Sequence, residues 1–151
     1  MKYKFRRNSL LLLLLFAISG CTVQLVSKYD SRTEKSVLNM REQLTGLFFE
    51  LDELAGTEPD CRYQNHTEAY KQLWVEFDLL AMRERTKHKN KTTALQVGVL
   101  DEGLKKLQKK HKKACLTKVE IAILNKSISG LLDSILRFEE AKQRDSSHSY
   151  N

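Results

Sequence analysis

A chain of 151 residues with 26 basic and 19 acidic side chains carries a formal charge of +7. Four of the positive charges, Lys2, Lys4, Arg6 and Arg7, lie in the first twenty residues, which contain no acid, so the remaining 131 residues carry only +3 and the case for a nucleic-acid partner loses its main support. That length suffices for one domain and not for two, and one proline with six glycines supplies too few turns for a sheet-rich fold.

The four basic residues precede an uninterrupted apolar run, Leu10 to Ile18, and then Ser19-Gly20-Cys21. A basic region, a short apolar stretch and small residues before a cleavage point make a secretory signal, and the run is about half of the ~20 residues that cross a bilayer. Ile18-Ser19-Gly20-Cys21 resembles the lipobox of bacterial lipoproteins. The resemblance implies cleavage between Gly20 and Cys21, with Cys21 acylated as the first mature residue. The alternative is an ordinary signal peptide followed by a coincidental cysteine. Lipoproteins of this kind carry three acyl chains; since one chain anchors only reversibly, three imply effectively permanent attachment. Thr22 after the cysteine, where an aspartate would retain the protein at the inner membrane of enteric bacteria, implies transfer to the outer membrane, with the domain on its periplasmic side. Residues 21–29 then read as the lipidated cysteine and a tether; the eight residues from Thr22 to Tyr29 span at most about 28 Å.

Four helical patterns follow within 30–143. Ser31-Arg32-Thr33-Glu34 is a capping-box pattern, with Asp30 as an alternative cap, and it opens a helix over 31–55. Val37, Met40, Leu44, Leu47, Leu51 and Leu54 recur at alternating spacings of 3 and 4, Phe48 widens the stripe, and Gly56 and Pro59 close it. A second helix is predicted over 63–87, begun near Asn65 with Glu68 three residues on; Tyr63, His66, Tyr70, Leu73, Phe77 and Leu80 share one face, with Trp74 beside it. The third, over 92–113, places Ala94, Val97, Leu100, Leu104, Leu107 and His111 on one face, weakened by Gly98 and Gly103 at roughly 1 kcal/mol each relative to alanine. The fourth, over 117–143, opens with the box Thr117-Lys118-Val119-Glu120 and carries Ile121, Leu124, Ile128, Leu131, Ile135 and Phe138, with Leu132 alongside. Residues 144–151 lack periodicity and read as a disordered tail. Four amphipathic helices with short links predict an all-α, up-down-up-down four-helix bundle, in which the aromatic side chains serve as core.

Export exposes the chain to an oxidising compartment, so Cys61 and Cys115 are natural disulfide partners; two buried free thiols are the alternative. Cys61 lies just before the second helix and Cys115 just after the third, which an up-down bundle brings to one pole. The start of the first helix and the basic link Lys87-His88-Lys89-Asn90-Lys91 fall at the opposite pole, facing the membrane. Lys105, Lys106, Lys109, Lys110, Lys112 and Lys113 form a second basic cluster toward the cysteine pole. It offers a surface for anionic lipid, acidic polymer or an acidic partner, or is simply a solvated helix face.

Candidate chemistry is sparse. His66, His88, His111 and His148 contain no ligand pair at metal-site spacing. Haem between a methionine of the first helix and a histidine of the last, as in the soluble b-type cytochromes, has Met40 available but no histidine on the fourth helix before the tail. Hydrolase, P-loop and Cys-His patterns do not occur, the sequons at Asn65 and Asn90 have no machinery in a bacterial envelope, and Asp52-Glu53 and Glu139-Glu140 read as solvated helical surface. No enzyme and no cofactor beyond the lipid on Cys21 are expected.

Val23-Gln24-Leu25-Val26-Ser27-Lys28-Tyr29-Asp30 after the lipobox, Cys61-Arg62-Tyr63 and the aromatic second helix resemble a family of small uncharacterised lipoproteins of Gram-negative bacteria. The resemblance implies an address and an architecture, not an activity. The expectation is an interaction module that binds another envelope protein, with a secretion pilotin or an immunity or exclusion lipoprotein as sharper forms. Direct binding of envelope lipid or polymer through the lysine-rich helix is the alternative. A carrier of small apolar ligands, with room left by Gly98, Gly103 and Gly130, is a third class.

Overall fold

The computed structural model describes residues 26–148, so the expectations for the signal segment, Gly20 and Cys21, and for residues 149–151, lie outside the described residues. Four long helices follow in order: α1 (Ser31–Glu53), α2 (Thr67–Thr86), α3 (Lys91–Lys113) and α4 (Lys118–His148), with a short 3-10 turn, Tyr63–His66, ahead of α2. α1 and α3 each pack against both α2 and α4, which makes a four-helix bundle with no strand among the described residues.

Each boundary has a local cause. At α1 the aspartate is the cap: the Asp30 side chain accepts from the Arg32 amide at 3.0 Å, while Glu34 is drawn to the Tyr29 hydroxyl at 2.5 Å. Gly56 ends α1 at φ 85, a backbone state that costs a glycine nothing. Asn65 does not cap α2; its amide nitrogen holds the preceding loop by donating to the carbonyls of Pro59 and Asp60 at 3.0 and 3.1 Å. The first turn of the predicted second helix is accordingly the 3-10 turn. The box at Thr117 closes reciprocally: the Thr117 amide donates to Glu120 at 3.1 Å, and the Glu120 amide donates back to the threonine hydroxyl at 3.3 Å. With the Lys110 ammonium and both Thr117 donors on it, the Glu120 carboxyl is held down at about 2.

Two boundaries differ from those read in the sequence. α4 runs to His148, so residues 144–148 are helical where a disordered tail was expected; the segment lacks apolar periodicity, but it also lacks a glycine or proline to stop the helix. Residues 27–29, expected in the free tether, lie against the bundle, with Ser27 buried.

The apolar stripes meet as expected. Val37, Met40, Leu44, Leu47, Leu51, Leu73, Leu80, Leu100, Leu104, Leu107, Ile128 and Ile135 are all buried in one core, each contributing ~1.5–3 kcal/mol by leaving water. On α4 it is Leu132 that enters the core and Leu131 that is only half-buried. The glycines of α3 do not interrupt it. A Cβ on Gly103 would meet Ile128 and Leu131 at 3.5 and 3.6 Å, so this glycine sits where α3 and α4 approach closely rather than beside a void.

Candidate functional site

The pole that carries the cysteines is closed covalently and aromatically. Cys61 and Cys115 form a disulfide with Cα atoms 5.4 Å apart. Behind it the buried His111 imidazole meets the Cys61 carbonyl through Nε2 at 2.8 Å and the Tyr70 hydroxyl through Nδ1 at 3.0 Å. A carbonyl can only accept, so Nε2 carries the proton and Nδ1 accepts from the tyrosine. Burial pushes the His111 pKa down; the Cys61 carbonyl pulls against that, and neighbouring His66 adds to it. His66 lies with its ring centroid 5.3 Å from that of His111, buried, and neither of its nitrogens makes a hydrogen bond, although Glu50 Oε1 stands 3.4 Å from Nδ1. A polar chain runs outward from this cluster: Trp74 Nε1 donates to Gln108 at 3.2 Å, and Gln108 Nε2 donates to the Tyr63 hydroxyl at 2.8 Å.

The six lysines of α3 divide. Lys105 pairs with Asp101 and Lys110 with Glu120, each at 2.6 Å, and the Lys112 ammonium stands over the Tyr63 ring at 5.0 Å. Lys106, Lys109 and Lys113 are exposed and form no ion pair with a described residue. Lys105, Lys109, Lys112 and Lys113 line an open groove together with Gln108, whereas Lys106 and Lys110 stand outside it. The cluster is therefore one four-lysine face and not a uniform basic rod.

At the opposite pole the structure holds what sequence reasoning missed: a polar layer that completes the core. Glu84 and Lys87 pair at 2.6 Å, and Glu139 and Lys142 pair at 2.5 Å; Glu84, Glu139 and Lys142 are essentially inaccessible. Glu139, read as solvated surface, is thus an interior residue. Asn90 joins the two pairs: its nitrogen donates to Glu84 Oε2 at 2.7 Å, and its carbonyl oxygen accepts from Lys142 at 3.3 Å. Thr33 donates to Glu84 at 2.6 Å, and Thr93 accepts from Lys142 at 2.9 Å. A signal for this layer existed. Ile128, Leu132, Ile135, Glu139 and Lys142 continue the spacings 4, 3, 4, 3, as do Thr33 before Val37 and Thr93 before Val97.

The layer holds the chain entering α1. The Ser27 hydroxyl donates to Asn90 at 2.7 Å, and the Ser27 amide donates to the Lys89 carbonyl at 2.9 Å. The Asp30 amide donates to Glu139 at 3.3 Å, and the Asp30 carboxylate stands 3.1 Å from Lys87. Burial pushes the Asp30 carboxyl up, but hydrogen bonds from Arg32 and Lys87 outweigh it and hold the group well below the usual carboxylate range. Residues 27–30 thus cross the end of the bundle, joined to the α2–α3 link and to α4.

Apolar side chains remain on the outside. Val75, Leu79 and Met82 recur at spacings of 4 and 3 on the side of α2 opposite its core face, with 56, 46 and 60 % of their surface exposed. Leu79 and Met82 continue into an open groove with Arg32, Arg83, Thr86 and Lys87. A narrower cleft of about 150 Å³ between α2 and α3 is lined by Phe77, Ala81, Val97 and Gly98 but also by Glu84, Arg85 and Asp101. Met40, the methionine considered for haem, is wholly inside the core. Among the described residues no group of three or more His, Cys, Asp or Glu could hold a metal ion, and no helix is long and apolar enough to cross a membrane.

Fold and poles together define a disulfide-closed four-helix bundle whose entering segment is bound to a buried polar layer. No family model, curated protein or solved structure matches the chain.

Proposed function

We propose that the chain is a lipoprotein anchored through Cys21 to the periplasmic side of the outer membrane, where its bundle acts without catalysis as a docking module for another envelope protein. The observation that carries the binding half of this reading is the outward stripe Val75, Leu79 and Met82, with the basic groove beside it. A helix face buried on one side has no structural need for three large apolar residues on the other, and such a stripe rimmed by charge suits a partner helix. Arg83, which forms no ion pair with a described residue, and the exposed Arg32, which shares Asp30 with Lys87, favour an amphipathic helix with an acidic flank. The anchoring half rests on the lipobox-like Ile18-Ser19-Gly20-Cys21 and on the basic, apolar stretch before it.

The test is crosslinking in living cells from a photoreactive residue at position 79, compared with the same residue at exposed position 126, in the wild-type chain and in a Cys21→Ser form. One envelope protein enriched at position 79 and lost on Met82→Glu supports the reading. Equal recovery of abundant neighbours at both positions refutes it. If the partner is a secretin, deletion of this chain should mislocalise it, as expected of a pilotin; a toxin or phage component would instead mark an immunity or exclusion lipoprotein.

The four-lysine groove on α3 favours a second reading, direct binding of anionic lipid or polymer. Charge reversal at Lys105, Lys109 and Lys112 separates the two. Salt-sensitive polyanion binding lost on reversal supports the second reading, and partner capture unchanged by reversal supports the first.

A further inference from the structure

We propose that the pole where residues 27–30 enter docks directly on anionic phospholipid headgroups through Lys28, Lys89 and Lys91, which stands the bundle upright with its disulfide pole directed away from the bilayer. The inference rests on the lipid-anchored reading of Cys21 and deepens it by assigning the surface that meets the membrane.

Three observations carry it. First, most acids around the entering chain are consumed: Glu84 and Glu139 are buried in ion pairs, Asp30 is bound by Arg32 and Lys87, and Glu34 accepts from Tyr29, while exposed Glu140 and Asp145 lie farther along α4. Lys28, Lys89 and Lys91 are exposed and make no ion pair with a described residue, so the free positive charge beside the entering chain is theirs, Arg32 being matched by Asp30. Second, the entering chain does not swing freely. Ser27 is fixed to Lys89 and Asn90, and the residues beside it in sequence are therefore held at the α2–α3 link, next to the same lysines. Third, only residues 21–25 separate the lipid-bearing position from the described bundle. Five extended residues reach no more than about 18 Å, so the basic rim stays within about two Debye lengths of the headgroups and is pulled closer by their charge.

The fixed entry turns an anchor into an orientation. A bundle on a long flexible tether would tumble and present every face equally. Here the strap across the pole makes this end the one that touches lipid, and the α3 lysine groove and the disulfide end point toward the periplasm.

The test uses the processed, lipidated protein reconstituted into vesicles of phosphatidylcholine alone or of equal parts phosphatidylcholine and phosphatidylglycerol, with amine acetylation of each lysine read by mass spectrometry. Expected is at least about fivefold protection of Lys28, Lys89 and Lys91 in the anionic vesicles, lost at high salt, with Lys106, Lys109 and Lys113 labelled equally in both. Equal labelling at the two poles, or protection of the α3 lysines instead, overturns the inference. An intact mass without acyl chains would overturn the anchoring reading instead, so the two failures are distinguishable. As a second arm, the secreted chain beginning at Thr22, which retains the complete core of residues 26–148, is sedimented with the same vesicles. Lys89→Gln with Lys91→Gln should lower its partition into anionic vesicles about 25-fold, at roughly fivefold per charge near the surface, and leave the melting temperature unchanged. Unchanged partition would overturn the inference as well.

Discussion

Removing one member of the Glu139–Lys142 pair should be far more costly than removing both. The pair is made at 2.5 Å with side-chain exposures of 0 and 2 %. Glu139→Leu leaves the Lys142 ammonium with Asn90, Thr93 and the Phe138 ring, none of them charged, and deprives the Asp30 amide of its carboxylate. Stranding a buried charge in this way costs ~3–5 kcal/mol. Lys142→Met strands the carboxylate instead and should cost a similar amount. For a domain of this size, about 4 °C per kcal/mol converts that loss to a fall of about 12–20 °C in melting temperature. The double variant Glu139→Leu with Lys142→Met replaces two desolvated charges with apolar side chains of similar length, and should be more stable than either single variant and close to wild type. Urea unfolding followed by far-ultraviolet circular dichroism, with the disulfide intact, gives all four corners of the cycle. Hydrogen exchange at the Asp30 amide should accelerate in both variants that lack Glu139, because its acceptor is gone. Singles that each cost under ~1 kcal/mol, or a double equal to the sum of the singles, would refute the reasoning, since the pair would then behave as surface charge.

Three further outcomes follow from other parts of the bundle. Replacing Cys61 and Cys115 by alanine opens a loop of sequence separation 54, and should lower stability by ~4 kcal/mol in the chain-entropy model, measured by urea unfolding under oxidising conditions; a loss below ~1 kcal/mol would contradict it. His111 is buried neutral with a lowered pKa, so its contribution is complete above its unfolded value near 6.5 and is lost as pH falls toward the lower native value. The melting temperature should therefore drop as pH falls below the unfolded value near 6.5, and His111→Gln should flatten that drop; an identical slope in the variant would place the titration elsewhere. Gly103→Ala adds a Cβ in ordinary contact with Ile128 and Leu131 and should stabilise α3 by up to ~1 kcal/mol, whereas Gly103→Leu should destabilise by driving α3 from α4. A destabilising alanine would show that the helices are closer than this packing allows.

The parts of the structure legible in the sequence are those in which chemistry and period agree. Val37, Met40, Leu44, Leu47 and Leu51 are apolar at helical spacing, so both signals name the same face, and the structure buries all of them. The cysteines were legible through topology, because one precedes the second helix and the other follows the third. Where the signals conflict, residue type misleads. Glu139 and Lys142 occupy the next positions of the α4 stripe and pair with each other, yet a carboxylate and an ammonium read as solvent-facing unless other elements complete their shell, and here Asn90 and Thr93 do so for Lys142 and the Asp30 amide for Glu139. The same holds at the start of α1: Ser31 and Asp30 both make plausible caps, and the choice falls to Asp30, which Lys87 also binds from the α2–α3 link. Six lysines in nine residues read as one surface, but Asp101, one turn before Lys105, and Glu120, on the next helix, neutralise two of them; only the first stands at a spacing legible in the sequence.

The two poles close the same bundle by opposite means, and the contrast bears on why the polar one exists. Apolar layers are nearly interchangeable: leucines at similar heights on α1 and α3 would pack almost as well after a shift of one turn or a change of neighbour. A disulfide fixes the ends of α2 and α3 at one pole but leaves the far ends of α1 and α4 unconstrained. The polar layer supplies what is missing there. Glu84 requires Thr33 of α1, Lys142 of α4 requires Thr93 of α3, and Asn90 uses both ends of its amide to hold the two halves together. Each ion pair is local, its members three residues apart, so a shift of register would carry both along; what it would break are the cross-helix hydrogen bonds of Thr33, Asn90 and Thr93, leaving buried polar groups unsatisfied. Buried ion pairs add little net stability, so the layer's value lies in those cross-helix bonds, which favour one arrangement of the four helices. The same groups bind Ser27 and Asp30, and register and chain entry are therefore set by a single cluster. A near-wild-type double variant in the cycle above would be consistent with this division, with stability carried by the apolar layers and the position of the entering chain by the charges.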